Sequence, residues 1–386
     1  MKVMTMHTNS PGNVYGGAYR RYMELINGFL AEKWYVHHIS PKGFNTIQHK
    51  NLIHHDIFDT NIGSNYVSFL ILGSIKAVSV GKKIDIDMIV LFSFFDAMVA
   101  IIFRLFNPNT KIVYCDRGDS VKGILIDLNE KYHNKFLNNL GKSLLNFYER
   151  FIYQRLDLII FNSNVRKKEI YDKMEIDSDK TITIYNNANP SWVVEKINEA
   201  KIESQELRNK WKDKRILCFV GNLFIDGRDL GTLLQSYKIV QNEVPNSILI
   251  MVGEGPDKQK IIEIRDSLGL EGCVFIEGWK DNPFSYMLAS DINIVTGLHE
   301  GCSNTILESI FFETVMIGSD VGGISKLLQY EELLFPPKDI PAMSKKIINL
   351  LNNENDLSEA LTLIKKRKEN FVFDWNKEMI RAISSI

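Results

Sequence analysis

Cysteine is sparse in this chain. Its 386 residues hold four, Cys115, Cys218, Cys273 and Cys302, far apart and without a CxxC pair. That argues against a disulfide framework and a cysteine zinc site, and fits buried thiols in a reducing compartment. A charge excess of either sign is lacking too. Lys and Arg number 46 against 47 Asp and Glu, a formal net charge of −1. A general nucleic-acid binder would carry a basic excess, so no nucleic-acid partner is expected. Long apolar runs are missing. The most apolar stretch, Met88 to Phe106, is broken by Ser93, Asp96 and Arg104, whereas a spanning helix needs about 20 apolar residues in sequence. Met1 to Met6 runs into strand-like sequence with no h-region or small-residue cleavage site, so a cytoplasmic protein is expected.

Familiar phosphate and metal motifs are also missing. Gly12, Gly16 and Gly17 do not make GxGxxG, and Gly253-Glu254-Gly255-Pro256 lacks a third glycine. No GxxxxGK[ST] occurs. NAD binding and P-loop chemistry are therefore disfavoured, and Gly253 and Gly255 are expected to serve a strand-to-helix turn. There is no HExxH. His37-His38 and His54-His55 fall in strand-like runs, where neighbours face opposite sides, so each pair is a poor chelator. No metal and no other cofactor is expected.

What the chain does have is alternation. Strand-like runs at Val3–His7, Trp34–Ile39, Leu52–His54, Met88–Phe92, Ile112–Cys115, Leu158–Phe161 and Thr181–Tyr185 are separated mostly by helix-like segments, one of them behind the possible cap Ser163. The pattern stops near Asn186-Asn187-Ala188-Asn189-Pro190 and restarts with Ile216–Val220, Ser247–Val252, Val274–Ile276, Ile292–Val295 and Val315–Ile317. Two such series predict an α/β protein of two Rossmann-like, doubly wound parallel-sheet domains, with ligands at the carboxyl ends of the strands and the site in the cleft between domains. The expected boundaries are residues 1–190, a charged linker at 191–213, and 214–370.

One stretch draws the most chemistry, Leu298 to Ile310. It places Glu300 and Glu308 eight positions apart, with Gly301, Cys302, Ser303, Asn304 and Thr305 between them and an apolar run behind. A strand, a tight loop and a helix start are expected. A helix start offers free N–H groups and a positive dipole end to an anion. The two carboxylates suit hydroxyls. Three readings stay open on spacing alone: a ligand pair, a capping box from Thr305 to Glu308, and the two carboxylates of a glycoside hydrolase.

These residues carry a family likeness. Glu300 to Ser309 resembles the E-x7-E motif of retaining glycosyltransferases of family 4, which have the GT-B fold. The likeness continues in order through Phe219-Val220-Gly221-Asn222-Leu223, Val252-Gly253-Glu254-Gly255-Pro256, Val274 to Trp279, and Ser319-Asp320-Val321-Gly322-Gly323. It is strong from about Arg215 to Phe335. The first half matches in layout, in Gly16-Gly17, and in Asp157 to Ser163. The resemblance implies that Glu308 binds ribose hydroxyls and that Glu300 contacts the transferred sugar. Backbone groups from Gly301 to Thr305 would hold sugar and diphosphate. Gly221, Asn222 and Trp279 would line the donor site, and Gly16 and Gly17 would approach the diphosphate from the other domain. The helix from Trp375 to Ile386 would cross back onto the first domain.

Two departures stand out. Many relatives have an arginine after the glycine that is here Gly221, and a lysine a few residues on. Here these slots hold Asn222 and, at about the lysine position, Gly227, with Arg228 adjacent and able to supply the charge. Arg117 stands where many relatives have a histidine facing the donor sugar, and an arginine cannot be a general base. The implied activity is transfer of a sugar from a nucleotide-diphosphate sugar, UDP- ahead of GDP-, to a glycan or lipid-linked acceptor in surface polysaccharide or glycolipid synthesis. Alternatives are a catalytically weak nucleotide-sugar-binding partner and a nucleotide-sugar epimerase. Peripheral contact with the inner membrane leaflet is a further expectation. It rests on Lys122, Lys131, Lys135, Lys142, Arg150 and Arg155 together with Tyr132, Phe136, Phe147, Tyr148, Phe151 and Tyr153.

Overall fold

A computed structural model describes residues 1–7, 17–41, 47–57, 66–94, 96–117, 135–174, 176–298 and 301–386. Two compact units divide the chain: Met1–Tyr185 with Asp374–Ile386, and Asn186–Phe373.

In the first unit the described elements are β1 (Lys2–Met6), α1 (Gly17–Ala31), β2 (Tyr35–Ser40), β3 (Leu52–Asp56), α2 (Tyr66–Gly81), β4 (Met88–Leu91), α3 (Asp96–Phe106), β5 (Lys111–Asp116), α4 (Lys135–Tyr153), β6 (Leu158–Phe161), α5 (Asn164–Met174) and β7 (Thr181–Thr183). The strands form a seven-stranded sheet in the order β3-β2-β1-β4-β5-β6-β7, each pair parallel. Helices cover both faces of such a sheet, so central strands are apolar throughout. Met88–Leu91 and Leu158–Phe161 are buried along their whole length. Ile89, Leu91, Ile112, Tyr114, Ile159 and Phe161 pack with Phe94, Phe103 and Tyr153 in one core. Ser163 does cap α5, its Oγ accepting from the Arg166 N–H at 3.1 Å.

The second unit begins with α6 (Ser191–Lys210) and continues through β8 (Arg215–Val220), α7 (Ile225–Arg228), α8 (Leu230–Glu243), β9 (Ser247–Val252), α9 (Lys258–Ser267), β10 (Val274–Gly278), α10 (Phe284–Ala289), β11 (Ile292–Val295), α11 (Asn304–Phe312), β12 (Met316–Ser319), α12 (Gly322–Leu328), β13 (Leu334–Phe335), α13 (Ile340–Asn352) and α14 (Glu354–Lys368). Its six-stranded parallel sheet runs β10-β9-β8-β11-β12-β13. The charged stretch 191–213 is mostly the helix α6, which buries Val193 and Ala200 and packs along α10 inside this unit. The chain then returns to the first unit with α15 (Trp375–Ile383), whose N-cap Asp374 accepts from the Lys377 N–H at 3.0 Å and which packs on α1.

In each sheet the strand order reverses beside the first strand, between β1 and β4 and between β8 and β11. Loops diverge at such a point, and a crevice opens beyond the carboxyl ends of the two strands.

Candidate active site

In the second unit three loops meet at the carboxyl ends of β8, β9 and β10. The Gly221 N–H donates to the Val252 carbonyl at 3.0 Å, Leu223 N–H to Glu254 at 3.0 Å, and Gly253 N–H to Gly278 at 2.9 Å. Gly253 has φ +146°, and a Cβ there would run into the Gly221 carbonyl oxygen; one at Gly255 would meet Leu223 in the same way. Both glycines therefore serve close backbone approach in the expected strand-to-helix turn. Asp257 locks the arrangement, accepting the Ile225 N–H at 3.0 Å, and this hydrogen bond holds its carboxyl below the usual range.

The short α7 is tied to the loop after β11. The Thr296 hydroxyl donates to the Arg228 carbonyl, and the Leu298 N–H donates to Gly227 at 3.4 Å. Arg228, half-buried, is thus anchored beside the segment that leads into α11. Asn222 is exposed on the preceding loop. A Cβ on Gly227 would lie 2.5 Å from the Phe224 ring. A lysine in this slot would have to displace that ring.

The N-terminus of α11 is where the strand-loop-helix reading placed it. Thr305, in its first turn, donates its hydroxyl to the Val220 carbonyl at 3.4 Å, which ties the helix start to the end of β8. The capping box does not form as the sequence suggested. Ser303 is the N-cap, its side chain makes no cap hydrogen bond, and Thr305 lies inside the helix. Three residues after Ser303 comes Ile306, which has no carboxylate to complete a box. The first N–H groups of α11 therefore have no acceptor within the helix. Cys302, Ser303 and Glu308 are buried, at 8%, 4% and 8% relative exposure. A carboxylate this buried needs a partner in the protein or in a ligand. His299 and Glu300 lie outside the described residues.

One residue at this helix start gave no sequence signal. Asn186 donates its amide to the Asn304 Oδ1 at 2.9 Å and is itself buried. The two lie 118 positions apart, so no local spacing could pair them. Trp279, 38% exposed, follows β10 and donates its indole N–H to Asp281 at 3.2 Å.

In the first unit Arg117 directly follows β5. The preceding Asp116, fully buried, accepts from the Tyr153 hydroxyl at 2.6 Å and the Arg166 Nε at 3.3 Å. Arg117 itself stacks on two rings, its guanidinium carbon 4.8 Å from the Phe92 centroid and 5.1 Å from that of Trp375. Gly17 opens α1, and Gly16 lies outside the described residues. Among the described residues no three His, Cys, Asp or Glu side chains are grouped to hold a metal ion.

Two family descriptions match adjoining parts of this chain. Glycosyltransferase Family 4 covers residues 15–192, and Glycosyl transferases group 1 covers residues 193–369. The chain belongs to the family 4 glycosyltransferases. Their GT-B fold is what the solved structures show as well. Sucrose-phosphate synthase from Thermosynechococcus elongatus superposes with a TM-score of 0.79 at 16% identity, covering 100% of this chain and 98% of that one. HepE from Anabaena, solved with UDP and glucose, gives 0.75 at 17% identity, with both chains covered in full. Among curated relatives, the N-acetylgalactosamine-N,N'-diacetylbacillosaminyl-diphospho-undecaprenol 4-alpha-N-acetylgalactosaminyltransferase of Campylobacter jejuni is 27% identical over 186 residues, 48% of this chain and 47% of that protein. The chain spans about half the length of the first curated relatives it matches.

Proposed function

We propose that this family 4 protein is a retaining glycosyltransferase using a nucleotide-diphosphate sugar, UDP- ahead of GDP-. The observation that carries the reading is the uncapped start of α11. It is tied to the end of β8, beside the strand-order reversal of its sheet, with the Arg228 backbone anchored alongside. Open N–H groups and a guanidinium suit a diphosphate. In this reading N–H groups from Gly301 to Thr305 hold sugar and diphosphate, and Glu308 takes the ribose hydroxyls. Glu300 contacts the transferred sugar near the reacting carbon. Gly221, Asn222 and Trp279 border the donor, with Gly16 and Gly17 approaching its diphosphate. Arg228 and Arg117 offset charge as the nucleoside diphosphate leaves. The UDP bound to HepE and the lipid-linked acceptor in the name of the Campylobacter relative support UDP and a glycan or lipid-linked acceptor. Purified protein incubated with a panel of UDP- and GDP-sugars should bind one of them and slowly hydrolyse it. Neither binding nor hydrolysis across the panel would sink the proposal.

A second reading, a nucleotide-sugar-binding partner of little activity, is favoured by exposed Asn222 and by the Phe224 ring that fills the lysine slot. Donor binding with no turnover on any acceptor would select it.

Peripheral membrane contact is proposed for the first unit. On α4 and the turn after it, Phe147, Arg150 and Arg155 are exposed, while Tyr153 is buried and Tyr148 and Phe151 pack on the core. Tyr153 therefore drops out of the expected face, while Lys122, Lys131 and Tyr132, and the side chains of Lys135, Phe136 and Lys142, lie outside the described residues. Among the described residues no helix is long and apolar enough to cross a membrane. Flotation with anionic liposomes tests the contact, and protein left at the bottom of the gradient rules it out.

A further inference from the structure

At the carboxyl end of the first sheet, four side chains from four elements form one column. The Phe92 ring lies just after β4. The Arg117 guanidinium stands over it at 4.8 Å and over the Trp375 indole at 5.1 Å. Arg21, from α1, stands over the same indole at 5.3 Å and pairs with Glu24 at 2.9 Å. Trp375 is 1% exposed. Its helix is fixed from both sides: Asp374 caps it, and a Cβ on Gly28 of α1 would lie 2.9 Å from Asn376.

As a core residue alone, tryptophan is a poor choice here. Its indole N–H is buried with no hydrogen-bond partner among the described residues. Such an orphan donor destabilises a fold, and phenylalanine would fill much of the space without it. What tryptophan adds is the strongest aromatic face for a guanidinium. A free arginine side chain has many rotamers, and an arginine meant to meet a developing charge works best when it is already held in place.

We propose that Trp375 is a positioning residue that clamps Arg117 against Phe92. The helix α15 thereby sets where the guanidinium stands at the end of β5. This rests on the reading of Arg117 as a charge-stabilising group in sugar transfer.

The test compares wild type, W375F, R117Q and W375F/R117Q, each checked for folding by circular dichroism. The rate read is nucleoside diphosphate release from whichever UDP- or GDP-sugar the wild type turns over. W375F should lower kcat about 3- to 10-fold and leave the donor KM nearly unchanged, since a weaker aromatic face holds Arg117 less firmly. In the R117Q background the same change should have no further effect, because its action passes through Arg117. Losses that multiply would make Trp375 a packing residue and overturn the proposal. So would a W375F enzyme of wild-type rate. If R117Q itself has wild-type turnover, the role of Arg117 fails and the positioning role falls with it.

A second readout needs no activity. Phenylglyoxal modification of Arg117, followed by peptide mass spectrometry, should run several-fold faster in W375F than in wild type. An unchanged rate overturns the clamp even if no donor is ever found, and a faster rate in an inactive protein separates failure of the transferase reading from failure of this one.

Discussion

Single residues divide into those held by backbone and those held by side chains. Gly253 belongs to the first kind. Its φ of +146° and the Gly221 carbonyl beside it leave no place for a methyl group. Gly253→Ala should destabilise the second unit by about 2 kcal/mol or more, because strain and overlap add. Urea unfolding checks this, and an unchanged midpoint contradicts it. Glu308 belongs to the second kind. Buried on α11, its carboxyl is proposed to accept hydrogen bonds from ribose hydroxyls. Glu308→Gln should weaken UDP binding about tenfold or more, because it replaces one of the two carboxyl oxygens by a donor. Calorimetric titration reads that loss, and unaltered affinity would remove Glu308 from the donor site. The sequence singles out Glu308 by its spacing from Glu300. It gave no hint of Asn186 or of the Phe92–Arg117–Trp375 column, because those partners meet only after distant strands and helices are assembled.

Whole elements were legible where burial dictates composition. Met88–Leu91, Ser247–Val252 and Ile292–Val295 are continuous apolar runs because helices cover both faces of their sheets. The two-residue β13 carries too short a pattern to be recognised. The capping box at the start of α11 is misread in the sequence because Thr305 and Glu308 have its spacing, whereas Thr305 lies inside the helix bonded to β8 and Ser303 is the N-cap. The edge pair β2 and β3 shows what one-dimensional spacing misses. Neighbouring histidines do face opposite ways, yet parallel pairing brings His37 Nδ1 to 3.0 Å from His55 Nε2 and stacks their rings. Burial and then the adjacent His37 push His55 down to about 4 from an ordinary 6.5, and burial lowers His37, His38 and His54 as well. These groups stay neutral in the folded sheet while the unfolded chain takes up protons. Stability should therefore fall as pH drops from about 6.5 towards 4. Urea midpoints at pH 7 and pH 5 should differ, and His55→Gln should narrow the difference. A gap unchanged in that variant would assign the acid sensitivity to other groups.

At the scale of the molecule, the sequence showed two α/β series because each sheet is built from nearly consecutive strands. The unit boundary is not consecutive, since Asp374–Ile386 belongs with Met1–Tyr185. Deleting residues 374–386 removes Trp375 from the column and the partner of α1. In scanning calorimetry the transition of the first unit should drop and that of the second should stay, as expected where two domains unfold separately. A matched fall in both would argue against two independent units.

The return of α15 also orders events on the ribosome. Domains usually mature from the N-terminus as they emerge. Here the first unit is interrupted: its last helix is translated only after the whole of the second. The second unit can close while the first still lacks α15, with Trp375 not yet made and α1 uncovered along its Gly28 face. Maturation of the first unit thus waits until α15 has been made, and Met1–Tyr185 would need protection over that interval.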